Sequence, residues 1–132
     1  MVDFKQKEKY DINDLLEIMR LLRAPGGCPW DAQQTHMSIR KNLIEETYEV
    51  IEAIDKDDKE LMTEELGDLL MQVVFHAQME QEAGNFDFSD VTDGVCKKLI
   101  ERHPHVFGEV EVSGVGDVLN NWDAIKRRSK GQ

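Results

Sequence analysis

Glu46 and Glu49 form one E-x-x-E pair, and Glu65 and Asp68 form one E-x-x-D pair. A helix presents residues i and i+3 on one side, so each pair offers two carboxylates from one face. Four carboxylates with no histidine at matching positions suit a hard, oxygen-preferring divalent cation. Mg²⁺ is the first choice and Mn²⁺ a tolerated substitute. A di-iron bundle would want Glu-x-x-His on its helices. No histidine here has Glu three residues earlier: Gln33 precedes His36, Val73 precedes His76, Ile100 precedes His103 and Arg102 precedes His105. The plainer reading of the same acids is ion pairing with Lys or Arg across a bundle.

A second group of residues has the complementary charge. Lys98 and Arg102 are spaced i, i+4, and so are Trp122 and Lys126, so each pair shares a helical face. Two or three cations and a flat aromatic beside a carboxylate-bound cation could grip a nucleoside triphosphate. The cations would hold phosphates and the indole would stack on a base. The plainer readings are core packing for Trp122 and a solvated helix face for Lys98.

The elements that must position these residues read as helices. The only prolines are Pro25, Pro29 and Pro104, so nothing in the long stretch between the last two forces a helix break. The pattern predicts helices from about Asp14 to Arg23 with Asn13 as N-cap, from Ser38 to Asp55, and from Glu60 to Glu82. A fourth starts near Asp87–Asp90 and ends before Pro104, and a short last one spans Asp117 to Arg128. Residues 24–31, AlaProGlyGlyCysProTrpAsp, read as a loop that anchors the first two helices. The whole is an all-α bundle of about four to five helices in a single domain over residues 1–132, with 1–12 as a possible disordered tail.

Within that frame the acids are out of place. Ile39, Leu43, Val50 and Ile54 make one stripe at 100° per residue, and Glu46 falls inside it. From Leu66 to Met79 the third helix is apolar nearly all round, as an interior helix is, yet it carries Asp68. A buried, unpaired carboxylate is costly, so these groups must be neutralised, paired or metal-bound. A few helices in one subunit hardly cover the third helix on all sides, which agrees with a core completed in a homodimer.

Composition narrows the classes. Hydrophobic residues are 40% and charged residues 33%, with a net charge of −11. That argues against a protein that binds nucleic-acid polymers or anionic membranes through Lys and Arg. The charge is uneven: residues 1–96 carry 9 basic and 22 acidic side chains, residues 97–132 carry 7 and 5. No segment is apolar enough to span a bilayer. Cys28 and Cys96 form no CxxC pair, and reduced thiols in the cytoplasm are the expectation.

Seven segments resemble the MazG family of nucleoside triphosphate pyrophosphohydrolases, within the all-α NTP pyrophosphatase group. They are GlyCysProTrpAsp (27–31), GlnThrHis (34–36), LeuIleGluGluThrTyrGluVal (43–50), GluGluLeuGlyAspLeuLeu (64–70), ValValPheHisAla (73–77), ArgHisProHisValPheGly (102–108) and TrpAspAlaIleLys (122–126). The acidic pairs alone are shared with dUTPase-like and phosphoribosyl-ATP pyrophosphohydrolase relatives. The CysProTrpAsp loop and the ArgHisProHisValPheGly run point to MazG. The resemblance implies Mg²⁺ ligands at Glu46, Glu49, Glu65 and Asp68, and triphosphate contacts from Lys98, Arg102 and Lys126. It implies a nucleotide-pocket role for Trp122 and a homodimer. The implied reaction converts an NTP or dNTP to the monophosphate and pyrophosphate, as housecleaning of non-canonical or excess nucleotides. The rivals are a narrower dUTP/dCTP or phosphoribosyl-ATP pyrophosphohydrolase, and a catalytically silent bundle that binds nucleotide or a partner.

Overall fold

The structure is a computed structural model and describes residues 1–109, 111 and 113–130. Seven helices and no strand occur among them: α1 Ile12–Arg23, α2 Pro29–Gln33, α3 Arg40–Asp55, α4 Lys59–Glu82, α5 Phe88–Arg102, α6 Pro104–Phe107 and α7 Val115–Ser129. Five are long and two are single turns, in keeping with the all-α expectation. No helix among the described residues is long and apolar enough to cross a membrane. The chain divides into two compact units, Met1–Phe88 and Ser89–Gln132.

In the first unit, local chemistry sets the helix ends. Asp11, not Asn13, caps α1: its carboxylate accepts from Asp14 N at 3.1 Å, and Asp14 Oδ2 accepts from Asp11 N at 2.9 Å. This reciprocal arrangement satisfies two N–H groups that the helix leaves free. Thr35 and Ser38 close a similar turn, Thr35 N donating to Ser38 Oγ at 2.8 Å, so α3 begins at Arg40 rather than Ser38. Asp58 caps α4, and Asp57 takes a positive φ of 50° in the tight turn between α3 and α4. A turn this short makes α3 and α4 an antiparallel hairpin.

The core is Met19, Ile39, Val74, Phe75 and Met79, with Leu15, Leu16 and Phe88 against it. Truncating a residue such as Phe75 to Ala would cost about 3–5 kcal/mol. On α3 the buried residues are Val50 and Ala53, while Ile54 is exposed in the last turn, so the apolar stripe stops short of where spacing alone puts it.

The 24–34 segment is tied down by Arg23. Its guanidinium donates to Asp31 O at 2.6 Å and Gln34 O at 3.1 Å, pairs with both Glu82 oxygens, and lies 5.6 Å from the centre of the Phe75 ring. Pro29 opens the one-turn helix α2, where its missing N–H is harmless. Gly27 packs against the end of α1 so closely that a Cβ would lie 2.1 Å from Leu21 O. Any side chain there must displace backbone.

In the second unit, α7 begins at Val115, two residues before Asp117. The Asp117 carboxylate instead reaches back to accept from Ser113 Oγ at 2.7 Å and Ser113 N at 3.1 Å. Pro104 ends α5 as expected but also starts α6, again at a position where no N–H is lost.

Candidate functional site

Packing α3 against α4 brings the acids together. Glu46, Glu49 and Glu65 each offer an oxygen, all within 4.8 Å of one another; Glu64, Glu65 and Asp68 do the same. Glu65 belongs to both groups. It is only 8% exposed, Glu46 and Asp68 are half-buried, and Glu49 and Glu64 are exposed. Glu64 is the residue that sequence spacing passed over. Its i, i+4 relation to Asp68 was the available signal.

The electrostatics are those of crowded like charges. Burial, chiefly, raises the Glu46 carboxyl above its ordinary value, and the charges of Glu49 and Asp68 push the same way; a hydrogen bond from Glu65 opposes them. Glu49 is raised most by its hydrogen bond to Glu65, then by that group's charge. For Glu65 the largest single influence, the hydrogen bond from Glu49, lowers its pKa. Burial and the proximity of Glu46 and Asp68 outweigh it, and the net direction is up. The buried Oε2 atoms of Glu46 and Glu65 meet no donor group. Among the described residues no Lys or Arg forms an ion pair with any of these five acids. The cross-bundle ion pairing that would have been the plain explanation is therefore not what the structure builds.

An all-oxygen set with buried, donor-less atoms fits a hard divalent cation. Two oxygens on one octahedral Mg²⁺ stand about 3 Å apart when adjacent and about 4 Å when opposite. A group whose oxygens all lie within 4.8 Å is close to that spacing.

The cationic residues lie in the second unit. Lys98 is on an exposed face of α5. Arg102 is half-buried at the end of α5, and its Nε is buried without a partner. The Lys126 ammonium sits 4.9 Å from the Trp122 ring centre, and the His103 ring lies 6.3 Å from Trp122 and 5.4 Å from His105. His103 Nδ1 donates to Leu99 O at 2.6 Å, so it caps α5. Trp122 Nε1 and His105 Nδ1 are buried and unpartnered as well. The structure thus gathers Trp122, Lys126 and His103 directly, with Arg102 next to His103 in the chain and Lys98 one turn before Arg102 on α5, exposed.

The unpartnered buried atoms of the two units differ in kind. In the first unit they are Glu46 Oε2, Glu65 Oε2, Gln72 Oε1 and His76 Nε2, all able to accept. In the second they include Arg102 Nε and Trp122 Nε1, which only donate. The first set calls for a cation or a donor, the second for an acceptor-rich ligand such as a phosphate or a base.

Comparison with known proteins is consistent with this chemistry. Residues 34–107 match the MazG nucleotide pyrophosphohydrolase domain. The chain is 50% identical over 119 residues to the nucleoside triphosphate pyrophosphohydrolase/pyrophosphatase MazG of Thermotoga maritima, covering 90% of this chain and 45% of that protein. It is 48% identical over 122 residues to the nucleoside triphosphate pyrophosphohydrolase of Escherichia coli K12, covering 92% and 46%. The crystal structure of a MazG-related protein from Thermotoga maritima superposes with a TM-score of 0.72 at 30% identity, over 88% of this chain and 99% of that one. The chain spans from a quarter to about half the length of the curated relatives it matches.

Proposed function

This chain belongs to the MazG nucleotide pyrophosphohydrolase family, and from that premise we propose that it hydrolyses nucleoside triphosphates to the monophosphate and pyrophosphate with Mg²⁺. The observation that carries the reading is the convergence of Glu46, Glu49 and Glu65, with the buried Oε2 atoms of Glu46 and Glu65 lacking donors. Glu46, Glu49, Glu65 and Asp68 hold the cation, with Glu64 beside them, and Mn²⁺ substitutes. When bound, the cation supplies charge neutralisation to the triphosphate and lowers the pKa of water.

The chain's own residues do the rest. Their helices hold the carboxylates in place before substrate arrives, so little reorganisation is needed during turnover. An exposed carboxylate such as Glu49 can accept a proton from the attacking water once the set is fully ionised. Arg102, Lys98 and Lys126 bind phosphate oxygens, and the Trp122 face stacks on the base.

The same reading places the enzyme in the cytoplasm as a housecleaning activity on non-canonical or excess nucleotides, with Cys28 and Cys96 as free thiols. It also makes the chain a homodimer. Ile44, Tyr48 and Ile51 on α3, and Leu66, Leu70 and Val73 on α4, are exposed at the i, i+4, i+7 spacing of a single stripe on each helix. A second copy would cover them. Pyrophosphate release from a panel of canonical and modified NTPs and dNTPs, with Mg²⁺, Mn²⁺ or chelator, tests the activity. Absence of release from every nucleotide in both cations would refute it.

A further inference from the structure

A second cluster of ligating side chains lies away from the acids. His36, in the turn before α3, has its Nδ1 2.7 Å from Nδ1 of His76 on α4. The ring planes are 5° apart and their centres 4.9 Å apart. Two ring atoms this close are inside the contact distance of stacked rings, so the imidazoles meet edge to edge in one plane. Two lone pairs, or two N–H groups, cannot face each other at that distance; one hydrogen lies between them.

The remaining atoms fix how each ring is held. Glu80 Oε1 is 3.2 Å from His36 Nε2, and a carboxylate only accepts, so His36 Nε2 carries a hydrogen. Asn85 Nδ2 donates to the other Glu80 oxygen at 3.2 Å. That bond, and then His36, hold the Glu80 carboxyl below its ordinary value. His76 is half-buried, and burial pushes its pKa down, so its ring is neutral near pH 7. Its Nε2 is buried with no partner, and Gln72 Oε1, one turn earlier on α4, is a buried acceptor with none.

We propose that His36 and His76 bind a borderline divalent cation of the Zn²⁺, Ni²⁺ and Cu²⁺ class through their two Nδ1 atoms. The cation takes the place of the shared hydrogen, and each ring stays a neutral ligand with its one hydrogen on Nε2. Imidazole nitrogen favours these ions over Mg²⁺. Glu80 then accepts from the far nitrogen of a ligating histidine, the arrangement that orients such rings in metal sites. A tetrahedral ion bonded at 2.0–2.1 Å needs its nitrogens about 3.3 Å apart. The His36 side chain, 46% exposed, is free to move out by that difference. Along α4 the site is three turns, about 16 Å, from Glu65, so it does not share ligands with the acidic set. Bound, the ion pins the entry of α3 to α4 and stabilises the fold.

The test uses the full chain with saturating Mg²⁺ to fill the acidic set. Cu²⁺ is followed by electron paramagnetic resonance and Zn²⁺ by melting temperature. Expected are nitrogen hyperfine coupling from two imidazoles on bound Cu²⁺, and a rise in melting temperature with Zn²⁺. His36→Ala, at an exposed position, should abolish both without unfolding the chain. Glu80→Gln should weaken Zn²⁺ binding at least about tenfold. Glu49→Gln should leave both signals intact. Absence of nitrogen coupling, Zn²⁺ binding unchanged by His36→Ala, or loss of binding in Glu49→Gln would each overturn the proposal.

Discussion

Glu65 on α4 brings a carboxylate oxygen within 4.8 Å of oxygens from both Glu46 and Glu49 on α3. Carboxylates bond to one another only by sharing protons. Three such groups without a cation therefore hold more protons than three isolated ones would, and a bound divalent cation releases them.

This sets a pH dependence with a definite sign. Glu46, Glu49 and Glu65 all have folded pKa values raised above their unfolded ones. The native state then binds more protons than the unfolded state, and stability falls as pH rises from the ordinary carboxylate range, about 4.3, through the raised values. His76, whose pKa is lowered, acts in the opposite direction, adding stability as pH rises toward its unfolded value of about 6.5. Because His76 acts equally with and without Mg²⁺, the two curves separate the effects. The gap between urea midpoints in Mg²⁺ and in chelator should widen steadily from acid to neutral pH. A gap that stays constant would mean the three acids are not coupled to a cation.

The exposed stripes on α3 and α4 should be an interface. Tyr48→Lys or Leu70→Glu places a charge on each stripe without touching the acidic set, and should convert a dimer to a monomer in sedimentation experiments. A wild-type chain that sediments as a monomer at high concentration would remove the dimer from the proposal.

Arg23 should matter for stability rather than turnover. Removing its side chain leaves Asp31 O and Gln34 O without their donor and Glu82 without its partner. Glu82 is partly exposed, so the loss is below that of a fully buried pair, about 2 kcal/mol in urea unfolding. Arg23→Lys should recover little, because one ammonium cannot serve both carbonyls and both carboxylate oxygens. Turnover below the melting range should stay within about twofold, roughly 0.4 kcal/mol.

Sequence periodicity was enough to place five long helices and to bring two acidic pairs onto facing helices, because helical spacing and a short turn leave few alternatives. It could not show which acids are buried. Glu49 is exposed while Glu65 is not, and that depends on how α3 and α4 rotate against each other. Glu64 stands outside the two i, i+3 pairs, and only its i, i+4 relation to Asp68 sets it beside them. The Asp11 cap was missed because Asn13 is an equally good capping residue, and only the reciprocal Asp14 bond decides between them. The resemblance supplied the nucleotide roles of Lys98, Arg102, Trp122 and Lys126, which helical spacing alone left open. The His36–His76 contact joins residues forty apart and leaves no periodic trace.

In the second unit, Arg102→Ala and Lys126→Ala should each lower kcat/KM for a nucleoside triphosphate at least about tenfold, or about 1.4 kcal/mol. Stabilisation of the nucleotide-free protein by Mg²⁺ should barely change. Trp122→Ala should weaken nucleotide binding by about 1–3 kcal/mol if the indole stacks on a base. It should lower stability by about 3–5 kcal/mol if the ring only fills space. Affinity and melting temperature measured on the same variant distinguish these outcomes.

The most direct measurement counts products from one nucleoside triphosphate with wild type, Glu49→Gln and Asp68→Asn. Wild type in Mg²⁺ should release one pyrophosphate for each nucleoside monophosphate, with no free phosphate, and should stop in chelator. Both variants should keep their helicity and lose at least about a hundredfold in turnover, roughly 2.7 kcal/mol. Free phosphate as the product, turnover that survives chelation, or near wild-type rates in either variant would contradict the assignment of these carboxylates to a cation-dependent pyrophosphohydrolase.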